Sequence, residues 1–207
     1  MKFILASASP RRREMLQHLG LSPMIVTSQA DESVLVQTPE QAVCEVAERK
    51  ARAVQAALSK PLKSGKTYLQ PDDVILAADT VVVSPDGELL GKPANREVAK
   101  AMLRLLSDRE HRVVSGICLI RGDVTVTASE TTYVKFASLS EQIIENYTAS
   151  GECDDKAGAY GIQDTAALWI EGIRGDYFNV VGLPLHRLES LLQESFSLSL
   201  QDFKEEK

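Results

Sequence analysis

The sequence predicts a mixed-sheet α/β (α+β) domain, and three observations predict it. Strand-like and helix-like segments alternate through the first half of the chain. Val74–Val83 is almost continuously apolar and β-branched, the pattern of a strand covered on both faces. Residues 112–120 and 124–136 are two further strand-like runs that meet at Gly122-Asp123, a hairpin signal. A purely parallel sheet has no place for that hairpin, so the mixed class is preferred.

Each element has a local cause. Residues 3–6 form a short apolar strand, and Ser9-Pro10 opens a helix, with Ser as N-cap and Pro at the first helical position. A second helix starts after Thr38, with Pro39 next and Gln41 completing a capping box, and runs to about Leu58. Pro85-Asp86-Gly87 makes a turn after the central strand. Asn95 caps a helix whose expected apolar face is Val98, Met102, Leu105 and Leu106. Ser140 caps another, with Leu139 stapled to Ile144 and Gly151 closing it. A glycine-rich loop follows, then expected strands near residues 168–170 and 177–181, joined through Gly175-Asp176; Pro184 begins the last helix. Residues 60–71 are the one linker-like stretch, and the polar tail after Phe196 is expected to fray. The organisation read from this is one domain, residues 1–196, with a tail at 197–207.

Bulk properties narrow the function classes. The 207 residues can bury a substantial core, and 44% hydrophobic with 25% charged residues is an ordinary globular balance. No apolar run reaches the roughly 18 residues that span a bilayer, and the short apolar start runs into Arg11, Arg12 and Arg13, unlike a signal peptide. The expectation is a cytoplasmic protein without a membrane partner. A net charge of −6 argues against gripping a nucleic acid polymer, while a small polyanion is compatible with locally concentrated cations. Cys44, Cys118 and Cys153 match neither a disulfide framework nor a zinc motif and read as three reduced thiols. His18, His111 and His186 have no ligand spacing and read as structural.

Five places carry candidate chemistry. Ser7-Ala8-Ser9-Pro10-Arg11-Arg12-Arg13 follows a strand and starts a helix, where free N–H groups and the dipole attract anions. Three arginines oppose that dipole unless a phosphate is bound; the competing reading is a solvated basic face. Asp79 lies near the end of the buried strand, where an unpaired carboxylate is costly. It is either a turn cap or a ligand. Lys50 falls inside the apolar stripe of its helix, between Val46 and Val54, so it either snorkels out or points into a site. Lys92 is held between Gly91 and Pro93 on a tight loop, where taken alone an ordinary turn lysine is the preferred reading. In residues 155–163, Lys156 offers a cation and Gln163 an amide that both donates and accepts; a flexible surface loop is the alternative. Asp31-Glu32 could add a carboxylate to a metal site.

In order along the chain, five motifs resemble the Maf family of nucleoside triphosphate pyrophosphatases. They are Ser7-Ala8-Ser9-Pro10-Arg11-Arg12, Ala78-Asp79-Thr80-Val81-Val82, Gly91-Lys92-Pro93, the run from Asp155 to Gln163, and the run from Gly175 to Leu185. The resemblance spans Leu5 to about Leu192. It implies a fold related to the inosine triphosphate pyrophosphatases, with a cleft between two lobes, a divalent metal cation (Mg²⁺ or Mn²⁺) and a homodimer. It places the catalytic acid on Asp79 and substrate-discriminating positions on Arg11, Thr80 and Gln163. Phosphate-handling positions fall on Ser7, Arg12, Lys50, Lys92 and Lys156, and metal-side acids on Glu32 and Asp79. The 156–163 and 175–178 segments are similar to the branch acting on dTTP and UTP, rather than the one acting on 7-methyl-GTP. Asp164 departs from that branch, which commonly has Gly there, and its charge stands beside Gln163. Which of Asp79 and Glu32 takes the proton is left open, as is a rival role in which nucleotide binding regulates septum formation and turnover is incidental.

Overall fold

A computed structural model of the chain describes residues 1–33, 38–60 and 68–204. Among these residues the elements are β1 (Phe3–Leu5), α1 (Pro10–His18), β2 (Met24–Ile25), α2 (Pro39–Leu58), β3 (Val74–Val83), β4 (Leu89–Leu90), α3 (Arg96–Leu106), β5 (Glu110–Arg121), β6 (Val124–Phe136), α4 (Glu141–Ser150), β7 (Ile170–Arg174), α5 (Tyr177–Val181) and α6 (Leu185–Phe196). The strands make a seven-stranded sheet in the order β2-β1-β3-β5-β6-β7, with β4 on β3 off this path. β1 is parallel to β2 and β3, whereas β4 is antiparallel to β3 and β7 to β6. The mixed α/β class is therefore the one the chain adopts.

The chain divides into two compact units, Met1–Asp79 with Gly116–Ser129 and Gly182–Lys207, and Thr80–Ser115 with Glu130–Val181. In the first, the apolar stripe of α2 (Ala47, Ala51, Val54, Leu58) packs with Ile4, Ile75, Cys118 and Ile120. Thr38 caps α2 by accepting from the Gln41 N–H, which is the N-cap half of the expected capping box. Gly116 lies so close to this helix that a Cβ there would sit 2.4 Å from the Val43 carbonyl carbon. Burial pushes the Cys118 thiol up to about 12, so it is a packing residue. All three cysteines are free.

The second unit closes on aromatic rings. Phe136 meets Tyr160 at 4.7 Å and His111 at 4.9 Å, and Tyr147 meets Trp169 at 4.7 Å, all near edge-to-face. Leu103, Leu106 and Ile144 fill the space around them. His111 is buried, with Nε2 2.8 Å from the Tyr160 hydroxyl, and burial lowers its pKa to about 4. Asn95 and Ser140 cap α3 and α4, and Gly151 ends α4 with a φ of 84°. These match the sequence reading.

Four local expectations differ from the structure. Residues 177–181 are a single helical turn, not a strand: the Asp176 carboxylate accepts from the Phe178 N–H, and Gly175 and Gly182 bound the turn at φ 125° and 121°. The strand expected at 168–170 begins only at Ile170, because Thr165–Trp169 winds as a 3-10 turn. The buried face of α3 is Ala99, Leu103 and Leu106, while Val98 is exposed; the stripe is rotated by one residue. Residues 197–204 are packed rather than frayed. Ser199 and Asp202 cap a 3-10 turn at Leu200–Phe203, Glu189 accepts from the Leu200 N–H, and Phe203 stacks on Phe3 at 4.7 Å. Within the linker-like stretch, residues 61–67 lie outside the described residues.

Candidate active site

In the first unit the candidate residues converge on two cations. Arg12, one turn into α1, is half-buried. Its Nε donates to the Gly182 carbonyl at 2.8 Å, and Nη1 donates to the Ala78 carbonyl at 2.8 Å and the Ser7 hydroxyl at 3.2 Å. Burial pulls the Arg12 pKa down and the Asp79 carboxylate opposes that pull; the group stays charged. The guanidinium thus ties the end of β1 to β3 and to the start of the last segment. Ser7 is buried, and its hydroxyl also accepts from the Ser9 N–H. Ser9 itself supplies no side-chain cap to α1, so the helix entry is organised by Ser7 instead.

Lys50 points inward rather than snorkelling. Its side chain is 12% exposed, and Nζ lies 2.8 Å from Asp79 Oδ1 and 2.9 Å from Glu32 Oε1. An ammonium inside an apolar stripe is expensive unless paired, and here two carboxylates pair it. Asp79 is the enclosed partner at 16% side-chain exposure and Glu32 the open one at 65%. Residues 34–37, next to Glu32, lie outside the described residues. Arg11 is half-buried on α1 beside Arg12.

In the second unit the loop at 155–163 is built, not loose. Gly158 and Ala159 are buried in a 3-10 turn, and Gly158 donates to the Gly91 carbonyl at 3.1 Å. A Cβ on Gly158 would lie 2.8 Å from Val82 Cγ2, and the residue sits at φ 67°. Only glycine meets both conditions at this position. Lys156 is 11% exposed at its side chain; Nζ donates to the Glu152 carbonyl at 2.7 Å and lies 3.0 Å from Asp155 and 3.2 Å from Asp164. The Asp164 carboxylate therefore turns toward Lys156, across Gly161, where a Cβ would be 2.6 Å from Asp164 Oδ2. Gln163 and Lys92 are exposed. Thr80 Oγ1 lies 2.8 Å from the buried Ser115 hydroxyl.

Sequence reasoning passed over Ser115, Thr132 and Asn179, all fully buried polar residues of this unit. Ser115 and Asn179 each stand as a single polar residue in an otherwise apolar or aromatic run, which is a signal; Thr132, which follows Ser129, Glu130 and Thr131, has none. Among the described residues no cluster of three His, Cys, Asp or Glu side chains stands ready for a metal. Nor is any of their helices long and apolar enough to cross a membrane.

The family model described as Maf-like protein matches residues 2–195. A dTTP/UTP pyrophosphatase of Symbiobacterium thermophilum is 46% identical over 194 residues, covering 93% of this chain and 93% of that one. One of Clostridioides difficile is 45% identical over 203 residues, 97% of this chain and 98% of its own. One of Moorella thermoacetica is 48% identical over 195 residues, 92% and 93% respectively.

Proposed function

The chain belongs to the family of Maf-like proteins, and from that membership we propose that it is a nucleoside triphosphate pyrophosphatase that hydrolyses dTTP and UTP to the monophosphate and pyrophosphate. The observation that carries the reading is the pairing of Asp79 and Glu32 on the Lys50 ammonium. Both acids that we assign to the chemistry pair with this one ammonium. Asp79 lies within β3 rather than at its end, so it is not the cap of the turn that follows.

A divalent cation fits this donor set. Two carboxylates are the hard oxygen ligands Mg²⁺ takes from protein when substrate phosphates supply the rest. Glu32 and Asp79 would hold it, and when bound it neutralises charge on the triphosphate oxygens. Lys50, Lys92 and Lys156 are the side chains we assign to the phosphate oxygens. We assign Arg12 to hold Ser7 and the Ala78 carbonyl in place, through the hydrogen bonds it makes. Asp79, enclosed and kept next to an ammonium, is the group we assign as proton acceptor. It takes a proton from water as the water oxygen bonds to the α-phosphorus. The bond from that phosphorus to the bridging oxygen breaks, and pyrophosphate leaves with the electron pair. Arg11, Thr80 and Gln163 are assigned to reading the nucleoside.

The test is pyrophosphate release by purified protein with Mg²⁺ or Mn²⁺ across canonical and modified triphosphates. dTTP and UTP should head the panel. Binding without turnover would instead favour a nucleotide-responsive regulator.

A further inference from the structure

We propose that a cavity at the C-terminal end of α4 is a second binding site, for a small organic cation that carries one ammonium or guanidinium group on an apolar body.

The cavity lies wholly in the second unit and measures about 250 Å³. That is just below the range of about 300–1,000 Å³ found for drug-sized ligands, so the occupant is a small molecule. Ile143, Tyr147 and Trp169 give it an apolar lining, and Glu152 and Thr165 a polar one. None of its lining residues is among those assigned above to the nucleotide or the metal.

Three observations select a cation. The first is an anion without a counter-ion. The Glu152 carboxylate accepts from the Thr165 N–H at 3.0 Å and from the Thr165 hydroxyl at 2.8 Å, both neutral donors. Among the described residues no Lys or Arg pairs with it; Lys156 turns its ammonium to the Asp155 and Asp164 carboxylates and to the Glu152 backbone carbonyl instead. A carboxylate can accept about four hydrogen bonds, so this one has room for more.

The second is the helix end. Ile143 and Tyr147 lie toward the C-terminus of α4, the negative end of a helix, and the last turn of α4 carries no basic residue. Arg96 donates to the Ala149 carbonyl at 2.9 Å but does not line the cavity. The third is the pair of rings, Tyr147 and Trp169, set edge to face at 4.7 Å. Aromatic faces attract organic cations. An inorganic ion would leave this apolar lining unused, a neutral apolar molecule would leave Glu152 without a counter-ion, and an anion would be repelled.

The cavity backs onto the loop at 155–163. The Tyr147 hydroxyl accepts from the Gly161 N–H at 3.3 Å, and the Glu152 carbonyl accepts from Lys156 Nζ at 2.7 Å. An occupant therefore touches two of the residues that hold this loop in place.

Trp169 is the chain's single tryptophan, so its fluorescence reports on the cavity. The experiment titrates the full chain with three probes of similar shape and different charge: 2-phenylethylammonium, 2-phenylethanol and 3-phenylpropanoate. The ammonium should change the Trp169 emission saturably with a Kd of about 1 mM, an ordinary strength for a ligand of its size. It should bind at least about five-fold more tightly than the alcohol, and the carboxylate more weakly than either. Glu152→Gln, which keeps the shape and removes the charge, should bring the ammonium and the alcohol within about five-fold of each other. If Glu152→Gln does not melt cooperatively, Asn146→Arg takes its place. Asn146 is an exposed lining residue on α4, and a guanidinium there should weaken the ammonium at least about five-fold. The proposal is overturned by emission that does not saturate below about 20 mM ammonium. It is equally overturned by a preference over the alcohol of less than about five-fold in the wild type, or by a preference that survives the variant. Each outcome is read without nucleotide, so none depends on the pyrophosphatase reading.

Discussion

Lys50 Nζ stands 2.8 Å from Asp79 Oδ1, an ion pair in which the ammonium is 12% and the carboxylate 16% exposed. Glu32 shares the same ammonium, so losing the Asp79 charge does not leave Lys50 unpaired. Asp79→Asn should therefore fold, with a melting temperature close to that of the wild type. Its kcat should fall by about 10² or more, since the group proposed as proton acceptor has been replaced by an amide of equal size. An Asn variant with near-normal kcat would show that the carboxylate only stabilises Lys50.

Chelation should be decisive for the cation. EDTA should stop pyrophosphate release, and excess Mg²⁺ or Mn²⁺ should restore it, because a triphosphate carries more charge than a few side chains can neutralise in a productive geometry. Undiminished turnover in protein stripped of divalent ions would remove the metal from the mechanism.

Asp164 and Lys156 give a prediction with two opposite signs. Asp164 is one of the two carboxylates on the Lys156 ammonium and competes with any phosphate for it. Asp164→Asn should lower KM for UTP several-fold, with the effect shrinking at high ionic strength as expected of a half-exposed charge. Lys156→Ala should raise KM, at a cost of about 1.5–3 kcal/mol, the range for hydrogen bonds to charged groups. Neither should reorder the bases. A switch between pyrimidine and purine in either variant would move that residue to base recognition.

Much of this was legible in the sequence, for physical reasons. β3 and the β5–β6 pair announced themselves by long apolar or β-branched runs, and α2 by a stripe and a cap that agree. Lys50 was visible as a charge in the wrong place. The partners of Arg12 were not visible, because two of them are backbone carbonyls, at Ala78 and Gly182, and any residue has a carbonyl. Residues 177–181 misled because Tyr, Phe and Val favour strands; the glycines flanking them and the Asp176 cap decide for a helical turn, and turn Asn179 inward. β2 and β4, two residues each, carry too little pattern to find. The charge of Asp164 was expected beside the base-reading amide, whereas in the structure it is directed to Lys156.

The base-reading role proposed for Gln163 gives a prediction about substrate choice. dTTP and UTP should be turned over far better than ATP, GTP or 7-methyl-GTP, measured as kcat/KM on one panel. Gln163→Glu should lower activity on both, since a carboxylate cannot donate to a base carbonyl. A purine triphosphate at the top, with Gln163→Ala leaving the ranking unchanged, would place the protein outside the pyrimidine-specific branch.

His111 predicts an acid limb in stability. Its pKa is about 4 when folded, against 6.5 for an ordinary histidine. Between those values the unfolded chain binds a proton that the folded one refuses, so the folded state loses stability as pH falls from about 6.5 to about 4. The slope from this group is at most about 1.4 kcal/mol per pH unit. Thermal melts of wild type and His111→Gln over that window should differ in slope, the variant being flatter. Parallel profiles would assign the acid limb to other groups.

Gly116 has a consequence outside the reaction chemistry. It lets α2 lie directly on β5, and α2 carries Lys50 two turns beyond Val43. A methyl group at position 116 would act as a wedge under the helix, tilting the far end by a fraction of an ångström to an ångström. Misplacement on that scale is enough to cost about 10² in rate. A random-mutagenesis screen for lost turnover would therefore score Gly116 among the catalytic positions, although no atom of it need approach a nucleotide. Inactive variants at this position would report on the seating of a helix, and because the facing atoms are the backbone of Val43 and Cys44, trimming a side chain of α2 should not rescue them.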